Sequence, residues 1–189
     1  MIRFLGLRDA FTNGSILFSG TIRKESLLIT LGENLQPFSN KEDTAIDPYS
    51  ESDIRKAYGT LQRNWTRYDL KPQEFVLCSG KEQILLDANH FGLFTTLSHV
   101  ARLGVMSSPS SFFIDPEFSG HITFELYNFS PCQIRLTQSM PIAKVIIFEC
   151  QTMVDINKSS KHMNHFYYGK EDELRSLFFR EFTKVKEGR

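Results

Sequence analysis

Residues 98–128 read SHVARLGVMSSPSSFFIDPEFSGHITFELYN, and the last eight of them decide the fold class. In HITFELYN, the apolar residues Ile122, Phe124 and Leu126 alternate with polar or amphipathic ones. Successive side chains of a β-strand point to opposite faces of a sheet, so this alternation predicts a half-buried strand. Glu125 then lies on the face turned away from the core.

Two further segments have strand character, and together they indicate an all-β chain. Residues 133–138 alternate between polar and apolar side chains, and residues 143–148 form a run that is apolar except for Lys144. Such a run is typical of a strand that is buried on both faces. Turn signals such as Ser79-Gly80 separate the short segments, and the 17 Phe residues of the chain favour sheet over helix.

Three segments are predicted to be helical. Residues 50–53 fit a capping box, and apolar residues follow them at helical spacing. Residues 98–103 are predicted to form a single turn that ends at Gly104. Residues 171–189 are predicted to contain a C-terminal amphipathic helix that docks on the rest of the protein. Its apolar stripe consists of Leu174, Leu177, Phe178, Phe182 and Val185.

Length and composition indicate the class of protein. A chain of 189 residues suits one buried core, so we expect a single domain over residues 1–189. Hydrophobic residues make up 41% and charged residues 23%, which is typical of a soluble globular protein. Neither a secretory start nor an apolar stretch of bilayer length is found, so the expected location is the cytoplasm, without a membrane partner.

Charge and cysteine content argue against two kinds of ligand. Lys plus Arg equals Asp plus Glu at 22 each, so no net positive charge attracts nucleic acid, and none is expected as a partner. The three cysteines include no CxxC pair, which argues against a disulfide framework and a thiolate zinc site. An anionic ligand would therefore need a local site.

Ser98 and Arg102 form the first candidate for such a site. They are four residues apart, so in a helical turn they share one face. A hydroxyl beside a guanidinium fork suits a phosphate group. The same spacing occurs by chance on many solvated helices, so the pair alone leaves its role open.

The 98–128 stretch resembles the dCTP deaminase branch of the dUTPase superfamily. In that family a Ser-rich turn runs into Ala-Arg-Leu-Gly, then a hairpin, then Ile-Asp-Pro with an aromatic residue and Gly, then a strand with Glu-x-Tyr-Asn. Every landmark is present here without gaps, and weaker similarity extends over roughly residues 5–150, including PQEFVL at 72–77. The resemblance implies a distorted β-barrel or jelly roll of the dUTPase-like type, and a homotrimer with active sites between subunits.

The resemblance also implies site residues. Glu125 matches the family's general base, Ser98 and Arg102 match its catalytic and nucleotide-contacting Ser and Arg, and residues 107–113 match its base-binding hairpin. A carboxylate of raised pKa suits deamination at C4 of cytosine, because it can take a proton from water and pass it to departing ammonia. The implied substrate contacts are Ser98, His99, Arg102, Ser110, Ser111, Phe113, Asp115, Tyr168 and Lys170.

The implied ligand is a pyrimidine deoxynucleoside triphosphate taken as its magnesium (Mg²⁺) complex, with no protein-bound catalytic metal. Zinc-dependent deaminases would be the rival chemistry, but they need an HxE motif and a PCxxC pair. Pro131-Cys132 has no second Cys at that spacing, and His121 stands four residues from Glu125, so neither pattern occurs. Zinc is therefore not expected.

Several positions depart from the family pattern, and they cluster at the phosphate and base contacts. Leu97 stands in place of a phosphate-binding Arg, and Leu28 and Thr30 in place of an Asp and an Arg; Ser111 and Phe112 stand where the family has Ala and often Gly. The polar C-terminal segment of the family is matched only by Tyr168-Gly169-Lys170. A changed substrate or a lost activity would produce such departures.

Three functions therefore stay open. The first is a dCTP deaminase that releases dUTP and ammonia. The second is a dUTP diphosphatase or a bifunctional deaminase and diphosphatase, because Ile114-Asp115 resembles the motif on which dUTPases position water; an Asp before Pro116 also simply starts a turn. The third is a catalytically inactive member that binds a nucleotide or a protein partner.

Overall fold

The computed structural model describes residues 2–4, 11, 14–24, 26–39 and 45–150. Within these ranges the chain has thirteen β-strands and two short helices, so the all-β prediction is confirmed. The strands are Ile2–Phe4 (β1), Ile16–Phe18 (β2), Thr21–Arg23 (β3), Ser26–Pro37 (β4), Gln62–Arg63 (β5), Arg67–Leu70 (β6), Phe75–Leu86 (β7), His90–Thr96 (β8), Val105–Met106 (β9), Phe113–Ile114 (β10), Ser119–Asn128 (β11), Ile134–Thr137 (β12) and Pro141–Cys150 (β13). The helices are Glu51–Ala57 (α1) and Ser98–Ala101 (α2).

Eleven of the described strands form one antiparallel sheet that curls into a half-barrel. Its order is β10-β8-β13-β4-β7-β11-β9, with β1, β2, β3 and β5 paired at its margins. Strands β12 and β6 form a separate two-stranded sheet. The strand that carries Glu125, β11, therefore lies between the long strand β7 and the short strand β9. The turn predicted at Ser79-Gly80 is wrong, because both residues lie within β7.

The core is built from the alternating residues of these strands. Ile122, Phe124 and Leu126 of β11 are buried, as the alternation predicts. The prediction that 143–148 is buried on both faces is wrong in part. Lys144 of β13 is exposed and Phe148 is only half-buried, because one face of an antiparallel sheet can stay partly open to solvent.

The two described helices agree with their sequence signals. The Ser50 hydroxyl accepts a hydrogen bond from the Asp53 amide at 3.3 Å and caps α1, as a capping box requires. The second helix is a single turn that leads to Gly104, whose φ of 85° lies in the left-handed region. The predicted C-terminal helix lies outside the described residues.

None of the helices in the described ranges is long and apolar enough to cross a membrane.

Candidate active site

Glu125 is the centre of the candidate site. It lies opposite Leu77 of β7, and its neighbours Phe124 and Leu126 point into the core, so its own side chain leaves the other face of β11. Burial raises the pKa of the Glu125 carboxyl, and a hydrogen bond from the Ser108 hydroxyl offsets part of that rise. The sheet therefore holds a half-buried carboxyl whose proton affinity exceeds that of an exposed Glu.

Residues 107–112, here called the 107–112 loop, contact this carboxyl through Ser108. The sequence predicts a base-binding hairpin at 107–113, but the flanking strands do not pair with each other: β9 pairs with β11, and β10 pairs with β8. The segment is therefore a loop that crosses from one part of the sheet to another. Residues within the segment do not determine how the flanking strands pair, because strand pairing depends on contacts with distant parts of the chain.

The start of this loop is fixed by two polar contacts. The Ser107 carbonyl accepts a hydrogen bond from the Glu125 amide at 3.0 Å. The Ser107 amide donates to the Thr96 hydroxyl at 2.9 Å, and the two hydroxyls are 2.8 Å apart. Ser107 is only 1% exposed, so these partners replace the water that its polar groups lose.

Ser108 is the residue of the loop that contacts the carboxyl. Its hydroxyl lies 2.7 Å from the carbonyl oxygen of Ser111 and 3.4 Å from Oε2 of Glu125. The resemblance assigns a role to the segment but none to Ser108 itself. The pair Ser107-Ser108 before Pro109 is the signal that could have drawn attention to it.

Ser98, His99 and Arg102 lie on the turn formed by α2 and the residues after it. The turn is held by backbone bonds, including Arg102 N–H to the Ser98 carbonyl at 3.0 Å, and Val100 anchors it in the core. All three of its polar side chains are exposed. The turn thus presents them to solvent, where a phosphate group could reach them.

The last residue of the turn, Gly104, lies away from Glu125 along the direction of β11. The carbonyl of Gly104, at the end of the turn, accepts from the Phe129 amide at 2.8 Å, so this end of the turn lies four residues beyond Glu125. At roughly 3.4 Å per strand residue, that is on the order of 13 Å along β11. No hydrogen bond or ion pair joins Glu125 to Ser98 or Arg102 within the described part of the chain.

Of the other predicted contacts, two lie in the 107–112 loop and two follow it in the chain. Ser110, Ser111 and Phe113 are exposed, and the Phe113 ring stacks on Phe91 with centroids 5.3 Å apart. Burial of its carboxyl raises the pKa of Asp115, although the residue as a whole is exposed; its backbone carbonyl accepts from Phe118, as in a turn. Tyr168 and Lys170 lie outside the described residues.

The departures from the family pattern have local explanations in the fold. Leu97 packs against the hydrophobic core at the start of the turn. The Thr30 amide and hydroxyl donate to the two carboxylate oxygens of Glu82 at 2.7 and 2.8 Å, and Glu82 is 8% exposed. Leu28 is buried, whereas Phe112, the last residue of the 107–112 loop, is 55% exposed.

Asn128 is a supporting residue that the sequence places in a motif without giving it a task. Its side chain is completely buried, and its amide nitrogen donates to the carbonyls of Leu70 and Cys132 at 3.0 and 2.8 Å. Its side-chain oxygen accepts from the Ser130 amide and hydroxyl. Asn128 thereby fixes the residues that follow β11, which in turn contact Gly104.

A resident metal has no ready site in the described ranges, where no cluster of three His, Cys, Asp or Glu residues is found. Magnesium prefers oxygen ligands and keeps several waters, and it is commonly held by substrate phosphates with one or two carboxylates.

Comparison with known proteins gives one consistent result. A family model described as dCTP deaminase-like matches residues 12–150. A dUMP-forming dCTP deaminase of Parafrankia sp. (strain EAN1pec) is 30% identical over 88% of this chain and 82% of its own, and one of Corynebacterium kroppenstedtii is 29% identical over 93% and 96%.

A solved structure gives the same fold. The 2'-deoxycytidine 5'-triphosphate deaminase of Agrobacterium tumefaciens superposes with a TM-score of 0.56 at 12% identity, over 76% of this chain. The match spans 44% of the Agrobacterium chain, less than half of its length. The dUTPase-like barrel predicted from the sequence is therefore confirmed.

Proposed function

The chain belongs to the dCTP deaminase-like family, and on that premise we propose that it removes the amino group of dCTP by hydrolysis of the C4–N bond, with Glu125 as the residue that transfers the protons. The observation that carries the proposal is the half-buried Glu125 carboxyl, whose pKa burial raises. A carboxyl of this kind exchanges protons at a pH closer to neutral than an exposed Glu does. The curated relatives named dCTP deaminase support the same reaction.

The proposed reaction needs Glu125 in both protonation states. The ionised carboxylate takes a proton from water while the water oxygen bonds to C4 of the cytosine ring, and the electron pair of the C4–N3 double bond moves to N3, from where it returns when ammonia leaves. The protonated carboxyl then returns a proton to the amino nitrogen, the C4–N bond breaks, and ammonia leaves a uracil ring. One water is consumed, and the enzyme ends the cycle as it began.

We further propose that Ser98 and Arg102 act across a subunit boundary. They are exposed, and the described chain does not join them to its own Glu125. A second copy could bring them to that carboxyl and complete its burial. A homotrimer that binds pyrimidine deoxynucleoside triphosphates is the expected assembly. Light scattering tests it, and a stable monomer at micromolar concentration would contradict it.

The final product is a separate question. The relatives named dUMP-forming support release of diphosphate after deamination, whereas deamination alone would yield dUTP. In dUMP formation a second water would attack the α-phosphorus and the bond to the departing diphosphate would break. Asp115 is the candidate to position that water, because its carboxyl is partly buried and burial raises its pKa.

The test is a panel of dCTP, dUTP, dCMP and CTP, assayed with magnesium for ammonia release and by chromatography of the products. Ammonia from dCTP is the expected result, and the dUTP to dUMP ratio decides between the two products. Nucleotide binding without ammonia would instead favour the inactive binding protein, and dUMP from dUTP alone would favour the diphosphatase.

A further inference from the structure

Ser108 is placed where one hydroxyl faces two acceptors that belong to different parts of the site. The carbonyl of Ser111 lies at 2.7 Å, inside the 107–112 loop, and Oε2 of Glu125 lies at 3.4 Å, on β11. A hydroxyl has one hydrogen to donate and two lone pairs that accept. It therefore cannot hold both acceptors equally at the same time.

We infer that Ser108 is a positioning residue that couples the conformation of the 107–112 loop to the protonation state of Glu125. When Glu125 is ionised, its charge competes with the Ser111 carbonyl for the hydroxyl hydrogen, because charge-assisted bonds are the stronger kind. When Glu125 is protonated, it can donate to the Ser108 oxygen, and the hydroxyl hydrogen stays with Ser111.

This coupling deepens the proposed function and rests on it for its catalytic meaning. Glu125 is protonated in the middle of the proposed reaction and ionised before and after it. The loop is then held most firmly while the ring carries the added water, and it is released when ammonia has left. Substrate entry and product exit would thus coincide with the looser loop.

The surroundings of Glu125 leave Ser108 as the main polar influence on its carboxyl. Across β7 the opposite residue is Leu77, which is apolar, and on the same face of β11 the nearest titratable side chain is Tyr127. From the loop side, Ser107 binds only the backbone amide of Glu125. Among the described residues, burial and the Ser108 bond are the two influences on the pKa of Glu125, and no charged group adds to them.

The decisive experiment titrates Glu125 in the nucleotide-free protein by carboxyl ¹³C NMR. Ser108→Ala removes a donor to the ionised form, so the Glu125 pKa should rise further. Ser108→Thr retains the hydroxyl and should titrate near wild type. Ser119→Ala, which removes a serine hydroxyl six residues before Glu125 on β11, is the matched control. An unchanged pKa in Ser108→Ala, or an equal rise in Ser108→Thr, would overturn the inference.

The second readout is the loop itself. The amide of Phe112 belongs to the same peptide group as the Ser111 carbonyl, so its chemical shift should follow the Glu125 titration in the wild type. In Ser108→Ala that response should vanish. A Phe112 shift that still follows Glu125 without the hydroxyl would show that the loop senses the carboxyl by another route, and the inference would fail.

The kinetic readout separates this inference from the proposed function. If the protein deaminates dCTP, the acid limb of kcat/KM should move to higher pH in Ser108→Ala, and on that limb kcat/KM should fall roughly two- to ten-fold. An acid limb of kcat/KM that lies at the same pH in Ser108→Ala and in wild type would contradict the coupling. If wild type releases no ammonia, the proposed function fails, whereas the two NMR titrations still decide whether Ser108 couples the loop to Glu125.

Discussion

The two halves of the candidate site differ in how completely the chain itself builds them. Glu125 lies on a strand that pairs with β7, under a loop whose first residues are bonded to Thr96 and to β11. Ser98 and Arg102 lie on one helical turn, with their side chains exposed. The half proposed for proton transfer is thus placed by contacts within one chain, whereas the half proposed for phosphate binding is exposed to solvent.

The largest expected effect comes from removing the proposed proton acceptor, Glu125, in the half of the site that one chain builds. Glu125→Gln keeps the size of the side chain, so ammonia release from dCTP should fall by about 10² to 10⁴ while nucleotide affinity changes little. Glu33→Gln, at an exposed position of β4, is the control and should match wild type. Equal deamination by wild type and Glu125→Gln would show that another group moves the proton.

The next effect concerns the residue that joins the two halves. Asn128→Ala removes the buried side chain that bonds the carbonyls of Leu70 and Cys132 and the amide of Ser130, so the free energy of unfolding should fall by about 2 to 4 kcal/mol. Urea denaturation measures it, with the exposed Asn89→Ala as control. A loss no larger than that of the control would mean that water satisfies these groups.

A smaller effect is expected in the other half of the site, the turn that carries Ser98 and Arg102. Arg102→Ala removes a charge-assisted contact worth about 1.5 to 3 kcal/mol, so the Kd for dCTP should rise by one to two powers of ten. Isothermal titration calorimetry measures it, and Arg23→Ala, another exposed Arg, is the control. If both variants bind like wild type, Arg102 does not contact the nucleotide, and the turn that carries it is not the phosphate-binding half of the site.

The smallest effect is a pH dependence of stability. Because burial raises the pKa of Glu125 above its ordinary value of 4.5, the folded state favours the protonated carboxyl. That contribution to stability is fully present below pH 4.5 and is lost as the pH rises through the raised value. The unfolding free energy of wild type should therefore fall relative to Glu125→Gln over this window. Parallel curves from pH 4 to 8 would contradict it.

The features that depend on residues close together in the chain could be predicted from the sequence. The alternation in HITFELYN determines which face of β11 Glu125 occupies, and Gly104 marks the end of the turn because only a residue without a side chain takes a φ of 85° at no cost. These signals need only neighbours in the chain, and both predictions are confirmed.

The rest depends on contacts between distant segments. Ser108 meets Glu125 because β9 and β10 pair with different strands, and no pattern within 107–113 specifies those partners. The bond of Asn128 to Leu70 likewise needs two segments 58 residues apart. Under the proposed function Ser98 and Arg102 meet the Glu125 of a second molecule, which no pattern in one sequence specifies, so the catalytic role of that pair stays a prediction.

The Thr96–Ser107 contact also has a consequence for the order in which the protein folds. It closes a loop of only eleven residues, and the bond from Glu125 to Ser107 adds another short closure. Strands β4 and β13, by contrast, join segments from opposite ends of the described chain. Short closures lose less chain entropy, so they form sooner. Pulsed hydrogen exchange should therefore show the amides of Ser107 and Glu125 protected before that of Leu31, which bonds to Met140; the reverse order would mean that the barrel closes first and shapes the site afterwards.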